Sequence, residues 1–134
     1  MIKRPLNPQF SSAVLECRKF TTIRDKPWPV GVPIMLYNWS GAAYRSKQID
    51  VAAVMVEGVH PIEISHDETM GMRYSMHAVG QIALWSTEGF GSRAEMDAWF
   101  RPIVKPGQTV AKVLMRFRLL NAKRAGTDAS DKTL

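Results

Sequence analysis

Apolar and polar positions follow two different periods along this chain of 134 residues, and these periods predict its elements. Near the N-terminus the apolar side chains recur at helical spacing, which predicts a short helix ending near Arg18. Its apolar face is formed by Phe10, Ala13, Val14 and Cys17, and we expect Cys17 to be a small core residue. The next residues, Phe20 to Ile23, are aromatic or β-branched and predict a strand. A helix-to-strand junction is therefore expected around Lys19.

Four later segments have the pattern of strands, and they are residues 34–39, 51–64, 72–79 and 110–119. Gly58 and Pro61 interrupt the second segment, which indicates a bulge or bend of the kind that curls a small sheet into a barrel. The third alternates, with Met72, Tyr74, Met76 and Ala78 on one face and Arg73, Ser75 and His77 on the other. The fourth places Val113, Met115, Phe117 and Leu119 on one face and Lys112, Arg116 and Arg118 on the other.

A second helix is expected to begin at Ser92, whose hydroxyl can cap the backbone of Glu95. Its predicted buried face is Met96, Trp99, Phe100 and Ile103, and Pro106-Gly107 ends it. This order of elements predicts an α+β fold, a small curled mixed β-sheet or β-barrel with two or three flanking helices. We expect one domain over residues 1–120 and a disordered tail over 121–134, where small, polar and charged residues show no periodicity.

The net charge of +6 comes from one end of the chain. Residues 1–47 hold eight of the 18 basic side chains and two of the 12 acidic ones, which leaves ten of each in residues 48–134. A one-sided basic segment attracts polyanions, of which nucleic acid is the commonest. Within it, Lys19, Thr22 and Arg24 would place cations beside a hydroxyl, which suits a phosphate or a polar carbonyl. The ordinary alternative is the solvated rim of a strand.

Several classes of protein and site are disfavoured by the sequence. The lone Cys17 cannot form an internal disulfide, and no Cys/His set has the spacing of a zinc site. His60, His66, Asp67 and Glu68 match no known metal-ligand frame, and no pattern points to a cofactor. The chain shows no signal-peptide pattern and no apolar stretch near the roughly 20 residues that cross a bilayer. We therefore expect a cytoplasmic protein without a membrane partner or a bound metal.

Residues 17–24, Cys-Arg-Lys-Phe-Thr-Thr-Ile-Arg, resemble the signature of the ASCH family, small domains of the PUA-like superfamily. That signature runs Gly, a basic residue, Lys, Thr, any residue, Thr-Ile-Arg. Further similar features follow in the family's order: Gly31 with the strand 34–37, Glu88-Gly89-Phe90, Ala98-Trp99-Phe100 and the strand 113–117. The resemblance covers roughly residues 8–120. Cys17, Phe20 and Val32 depart from the family pattern, and because Cys resists the positive φ of glycine, the junction is expected to turn differently.

The resemblance implies a PUA-like domain that binds RNA or a nucleotide in a cleft beside the sheet. On this interpretation Lys19, Thr22 and Arg24 form a basic cleft. The further expected ligand contacts are Arg18, Lys26, Trp39, Tyr44, Arg45 and Lys47. The sequence does not distinguish RNA, DNA and a modified nucleoside as partners, and it does not set the oligomeric state.

A bacterial branch of the family implies an alternative function, hydrolysis of N4-acetylcytidine to cytidine and acetate. Its Lys, Thr and Glu fall on Lys19, Thr22 and Glu88, with Lys19 as base, Thr22 as nucleophile and Glu88 as proton donor to the leaving nitrogen. Arg24 would steady the oxyanion. Residues 19 and 22 face opposite sides of a straight strand, so they converge only if Lys19 lies in the turn before it.

A further alternative implied by the family is metal-dependent cleavage of single-stranded RNA. Its candidates are Tyr44, which would stack on a base, and Lys47, which would neutralise a phosphate. The sequence favours ordinary loop residues here, because no carboxylate cluster lies near that loop to hold a metal ion. Charge asymmetry favours binding without chemistry, whereas the distant glutamate favours the hydrolase.

Overall fold

The computed structural model describes residues 1–76 and 83–122, which contain six strands and three short helices. The strands are β1 (Ile2–Pro5), β2 (Thr21–Arg24), β3 (Pro33–Trp39), β4 (Gln48–Asp67), β5 (Gly71–Ser75) and β6 (Thr109–Ala122). The helices are α1 (Ser11–Leu15), which follows a 3₁₀ turn at Pro8–Phe10, α2 (Leu84–Thr87) and α3 (Arg93–Phe100). His77, Ala78 and most of the predicted tail lie outside the described residues.

The strands form one mixed sheet in the order β1-β3-β4-β6-β2, with β5 also paired to β4. The β1–β3 pair is parallel and the other pairs are antiparallel. The central strand β4 pairs with β3 near its start, with β5 at its end and with β6 along most of its length. The sheet is open and curled, so the predicted α+β class and curled mixed sheet are confirmed.

Bulges in β4 and β6 bend the sheet where these two strands pair. The register shifts between Ala53 and Val54, which leaves Leu120 of β6 unpaired, and between Val56 and Gly58, which leaves Glu57 of β4 unpaired. The bend predicted near Gly58 is therefore confirmed. Pro61 pairs in register with Val113, so it makes no bend of its own.

One hydrophobic core lies between the sheet and the helices. Its fully buried side chains include Val14, Ile34, Leu36, Val54, Val56, Ile64, Met96 and Met115. On α3 the Ser92 hydroxyl accepts a hydrogen bond from the backbone N–H of Glu95 at 3.2 Å, and Met96 and Phe100 are buried as predicted. Trp99 and Ile103 are 37% and 46% exposed, so their predicted burial is wrong. Ile103 lies beyond the end of α3 at Phe100, so the helical period does not reach it, whereas Trp99 lies within α3.

The turn after α1 sets the position of the basic motif. The helix ends at Leu15, earlier than predicted, and a Schellman motif closes it. The Arg18 N–H bonds the Ala13 carbonyl at 2.7 Å, and the Cys17 N–H bonds the Val14 carbonyl at 3.0 Å. Cys17 has φ of +59°, the left-handed conformation that glycine takes most easily. Cys17 thus makes the turn that a glycine would make, so the prediction of a different turn is wrong. Cys17 is also exposed, so the prediction that it is a core residue is wrong as well.

Two elements have no counterpart in the sequence-based prediction. β1 has only four residues, three of them polar or proline, and it is held by parallel pairing with β3. α2 also has four residues and has no side-chain cap at its N-terminus. Local propensity is weak over such lengths, so tertiary contacts decide whether these segments are ordered.

Candidate ligand-binding site

A cavity of about 510 Å³ opens where the α1–β2 turn, β2 and the end of α2 meet. Lys19, Thr22 and Glu88 all line it. Lys19 and Thr22 meet there because Lys19 precedes the first residue of β2 and so is not bound by the alternation of the strand. The structure therefore brings together the three residues that the resemblance assigns to one site.

Lys19 is 4% exposed and its ammonium group is held by the backbone. Its Nζ donates hydrogen bonds to the carbonyls of Thr21 at 2.7 Å and Glu88 at 2.9 Å, and it lies 3.7 Å from Glu88 Oε1. Burial lowers the pKa of Lys19 below its ordinary value; the Glu88 carboxylate opposes this shift, and the Arg24 guanidinium adds to it. The two carbonyls and Glu88 Oε1 offer three acceptors to a charged amine, and the two carbonyls alone satisfy both protons of a neutral one.

The carboxylate of Glu88 is anchored from its other side by two threonines that the sequence did not single out. Thr21 Oγ1 donates to Glu88 Oε2 at 2.5 Å. Because this hydroxyl has one proton, its 2.9 Å contact with Thr87 Oγ1 is a bond in which Thr87 donates. Thr21, Thr87 and Glu88 are all nearly fully buried. Glu88 Oε2 is thus fixed while Oε1 faces Lys19.

Gly89 keeps the two halves of the site close together. Its φ is +92°, which favours glycine. A Cβ at this position would lie 3.1 Å from Lys19 Cβ, 3.2 Å from Phe10 Cδ1 and 3.3 Å from Ala13 Cβ. A larger residue would therefore push the α1–β2 turn away from α2.

Arg24 connects the polar wall of the cavity to β1. Its Nε donates to Thr22 Oγ1 at 3.0 Å, its Nη2 donates to the Pro5 carbonyl at 2.9 Å, and its guanidinium carbon lies 4.8 Å from the centre of the Trp28 ring. Burial lowers the pKa of Arg24, partly offset by Glu88, but an arginine keeps its charge in proteins. The described residues offer Thr22 only this one bond, in which it accepts, so its own proton is available to a ligand.

Two groups of aromatic side chains also line the cavity. Phe10, Phe90 and Trp99 pack edge-to-face with ring centres 5.1, 5.5 and 5.9 Å apart. Trp39 and Tyr44 form a second group, with ring centres 5.3 Å apart. The sequence prediction included Trp39 and Tyr44 but missed Phe10 and Phe90 as site residues; the position of Phe90 beside Glu88-Gly89 was the one available signal.

The other predicted contacts lie outside the lining of this cavity. Arg18 is exposed and forms an ion pair with Glu16 at 2.6 Å, and Lys26, Arg45 and Lys47 are exposed on nearby turns. Within residues 1–76 and 83–122, no three His, Cys, Asp or Glu side chains are grouped as metal ligands would be. None of the helices in the described segments is long and apolar enough to cross a bilayer.

Comparison with known proteins rests on structure, since no known family profile and no curated protein matches the sequence. The crystal structure of ASCH from Zymomonas mobilis superposes with a TM-score of 0.52 at 18% identity, covering 91% of this chain and 69% of that one. The chain has the ASCH fold. A serine-to-alanine variant of the Zymomonas mobilis protein gives the same TM-score and identity over 91% and 70% of the two chains. A tyrosine-to-phenylalanine variant gives 0.50 at 17% identity over 91% and 71%. The ASCH resemblance inferred from residues 17–24 is confirmed as a likeness of fold.

Proposed function

We propose that this ASCH-fold protein binds RNA or a modified nucleoside, with one base held in the cavity around Lys19, Thr22 and Arg24. The main support is the composition of that cavity, whose lining combines a buried amine, a guanidinium and two groups of aromatic side chains. Its volume of about 510 Å³ is in the range of small-molecule sites, roughly 300–1,000 Å³.

Each part of the cavity suits a different part of a nucleotide. The aromatic groups offer faces on which a base can stack. The Thr22 proton is available to a ring nitrogen or carbonyl oxygen, and Arg24 offers further N–H donors. The exposed cations Arg18, Lys26, Arg45 and Lys47 lie outside the cavity, where the phosphates of a longer strand would run.

The binding experiment compares the wild type with Arg24→Met by calorimetry with cytidine and N4-acetylcytidine and by anisotropy with labelled single-stranded RNA. We expect Arg24→Met to weaken all three by about tenfold or more, since hydrogen bonds to charged groups contribute about 1.5–3 kcal/mol. Arg73→Met is the matched control, because it removes the same charge from an exposed position on β5. RNA affinity should also fall steeply with salt. Equal binding by wild type and Arg24→Met, with both folded, would contradict the proposal.

A second candidate function, hydrolysis of N4-acetylcytidine, is favoured by one arrangement. A buried amine of lowered pKa, an anchored carboxylate and a hydroxyl with an available proton line the same cavity. Thr22 Oγ1 attacks the acetyl carbonyl and its proton passes to the neutral Lys19 amine. Arg24 donates to the oxyanion. The proton passes through Glu88 to N4 of cytosine as the C–N bond breaks, and water then cleaves the acetyl-threonine ester to acetate.

Release of cytidine from N4-acetylcytidine tests this second function. We expect turnover by the wild type and none by Lys19→Ala or Glu88→Gln. Glu88→Gln also separates the two functions, because the amide keeps the size of the side chain and should leave nucleoside binding in place. If the folded wild type releases no cytidine, the hydrolase is excluded and the binding proposal is decided by the Arg24 comparison.

A further inference from the structure

A second cavity, of about 520 Å³, adjoins the first and shares Phe90 and Trp99 with it. The remaining residues that line it are Gln9, Gly89, Gly91, Glu95 and Ala98. Trp99 is 37% exposed, although α3 also carries Met96, which is fully buried. Its indole packs at an angle against the Phe10 and Phe90 rings, lines both cavities and remains partly open to solvent, so it offers apolar surface on which a base can stack beside each cavity.

Among the described residues, Glu95 is the only charged one that lines the second cavity. Its carboxylate makes no ion pair or hydrogen bond with the described residues. It lies directly over Gly91, where a Cβ would come within 2.3 Å of Glu95 Oε2. The missing side chain at position 91 therefore leaves room for the carboxylate beside the cavity.

The charge of Glu95 decides which part of a nucleotide can enter. A carboxylate repels a phosphate and accepts hydrogen bonds from N–H groups. Cytosine, adenine and guanine carry an exocyclic amino group, whereas uracil carries none. The Gln9 side chain adds a donor and an acceptor to the same lining. The second cavity is thus suited to an amino-bearing base.

We propose that the second cavity takes the base of the neighbouring nucleotide in single-stranded RNA, so that Trp99 lies between two consecutive bases and Glu95 selects an amino-bearing one. This inference rests on the proposed binding of a base in the first cavity. It assigns the specificity for the neighbouring base to α3, outside the Lys19–Thr22–Arg24 motif.

Calorimetry with cytidine and with the dinucleotides CpG, GpC, CpU and UpC tests the inference. In one of the two orders the guanine-containing dinucleotide should bind about tenfold tighter than cytidine, the size expected for one added base stack. The matching uracil-containing dinucleotide should lose a measurable part of that gain. Both orders are tested because an RNA strand can run through the two cavities in either direction.

Variants separate stacking from selection of the base. Trp99→Leu should reduce the ratio of dinucleotide to cytidine affinity to near one. Gly91→Ala should lower the preference for guanine over uracil, because its methyl group displaces the flexible end of Glu95 while the backbone needs no change. Two control variants should change neither the ratio of dinucleotide to cytidine affinity nor the preference for guanine over uracil. Ile103→Ala removes an exposed apolar side chain just after α3, and Glu68→Gln removes an exposed carboxylate elsewhere.

The outcomes distinguish this inference from the proposed function. If cytidine binds but a second base adds nothing in either order, the second subsite is refuted and the first cavity stands. A dinucleotide gain that survives both Trp99→Leu and Gly91→Ala would also refute it. If neither cytidine nor any dinucleotide binds, both proposals fail.

Discussion

Replacing Thr21 with valine tests whether the two buried threonines hold Glu88 in place. The substitution keeps the volume of the side chain but removes the hydroxyl that donates to Glu88 Oε2 at 2.5 Å and accepts from Thr87 at 2.9 Å. Thr87 can still donate to the Leu84 carbonyl at 3.2 Å, so it is not left without a partner. The main loss is therefore one hydrogen bond to a carboxylate in a buried site.

The size of the effect follows from these contacts. A hydrogen bond to a charged group contributes about 1.5–3 kcal/mol, and the added buried methyl group returns up to about 0.8 kcal/mol. We expect Thr21→Val to lower the free energy of unfolding by about 1–2 kcal/mol, measured by urea denaturation at pH 7. Thr109→Val, at an exposed position on β6, is the matched control and should change it little.

A double-mutant cycle with Glu88→Gln isolates the bond itself. The amide is a neutral acceptor, so Thr21→Val should cost less in that background, and the coupling energy should be about 1 kcal/mol. A Thr21→Val variant as stable as the wild type, together with a coupling energy near zero, would refute the reasoning. The position of Glu88 would then depend on α2 and Lys19 alone.

Three further predictions concern the same region and α3. Cys17→Gly should raise the free energy of unfolding by about 0.5–1 kcal/mol. Glycine relieves the backbone strain of a residue with a Cβ at a φ of +59°, and this gain exceeds the loss from the greater entropy of the unfolded glycine chain. A lower denaturation midpoint would contradict this. Ser92→Ala should lower the free energy of unfolding by about 1 kcal/mol through loss of the α3 cap, whereas Ser92→Asp should retain most of the stability. The unfolding free energy of the wild type relative to Lys19→Met should rise as the pH increases from the lowered pKa of Lys19 towards its ordinary value of 10.5. In that window the unfolded chain binds a proton that the folded chain does not, and a difference that stays flat in denaturation experiments on the alkaline side up to pH 10.5 would argue that the pKa of Lys19 is not lowered.

Local patterns predicted much of the sheet and part of the site. The strand segments and the Ser92 cap depend on side-chain period and on contacts between near neighbours, and the structure has them close to the predicted positions. The likeness of residues 17–24 to the ASCH signature led to Lys19, Thr22 and Glu88, which line one cavity. Cys17 was misjudged because the helical period places it on the apolar face, while the helix ends before reaching it.

The chain by itself thus determined its strand pattern, the capped start of α3 and a basic N-terminal segment, since all of these depend on residues near one another in sequence. Only the tertiary structure decided that the Lys19 amine bonds the Glu88 carbonyl across 69 residues, and that Thr21 and Thr87 anchor the carboxylate. It also decided that Trp99 is exposed beside two cavities while its neighbour Phe100 is buried. The physical reason is that burial and charge pairing depend on which surfaces the bulged strand β4 brings together, and no local period encodes that.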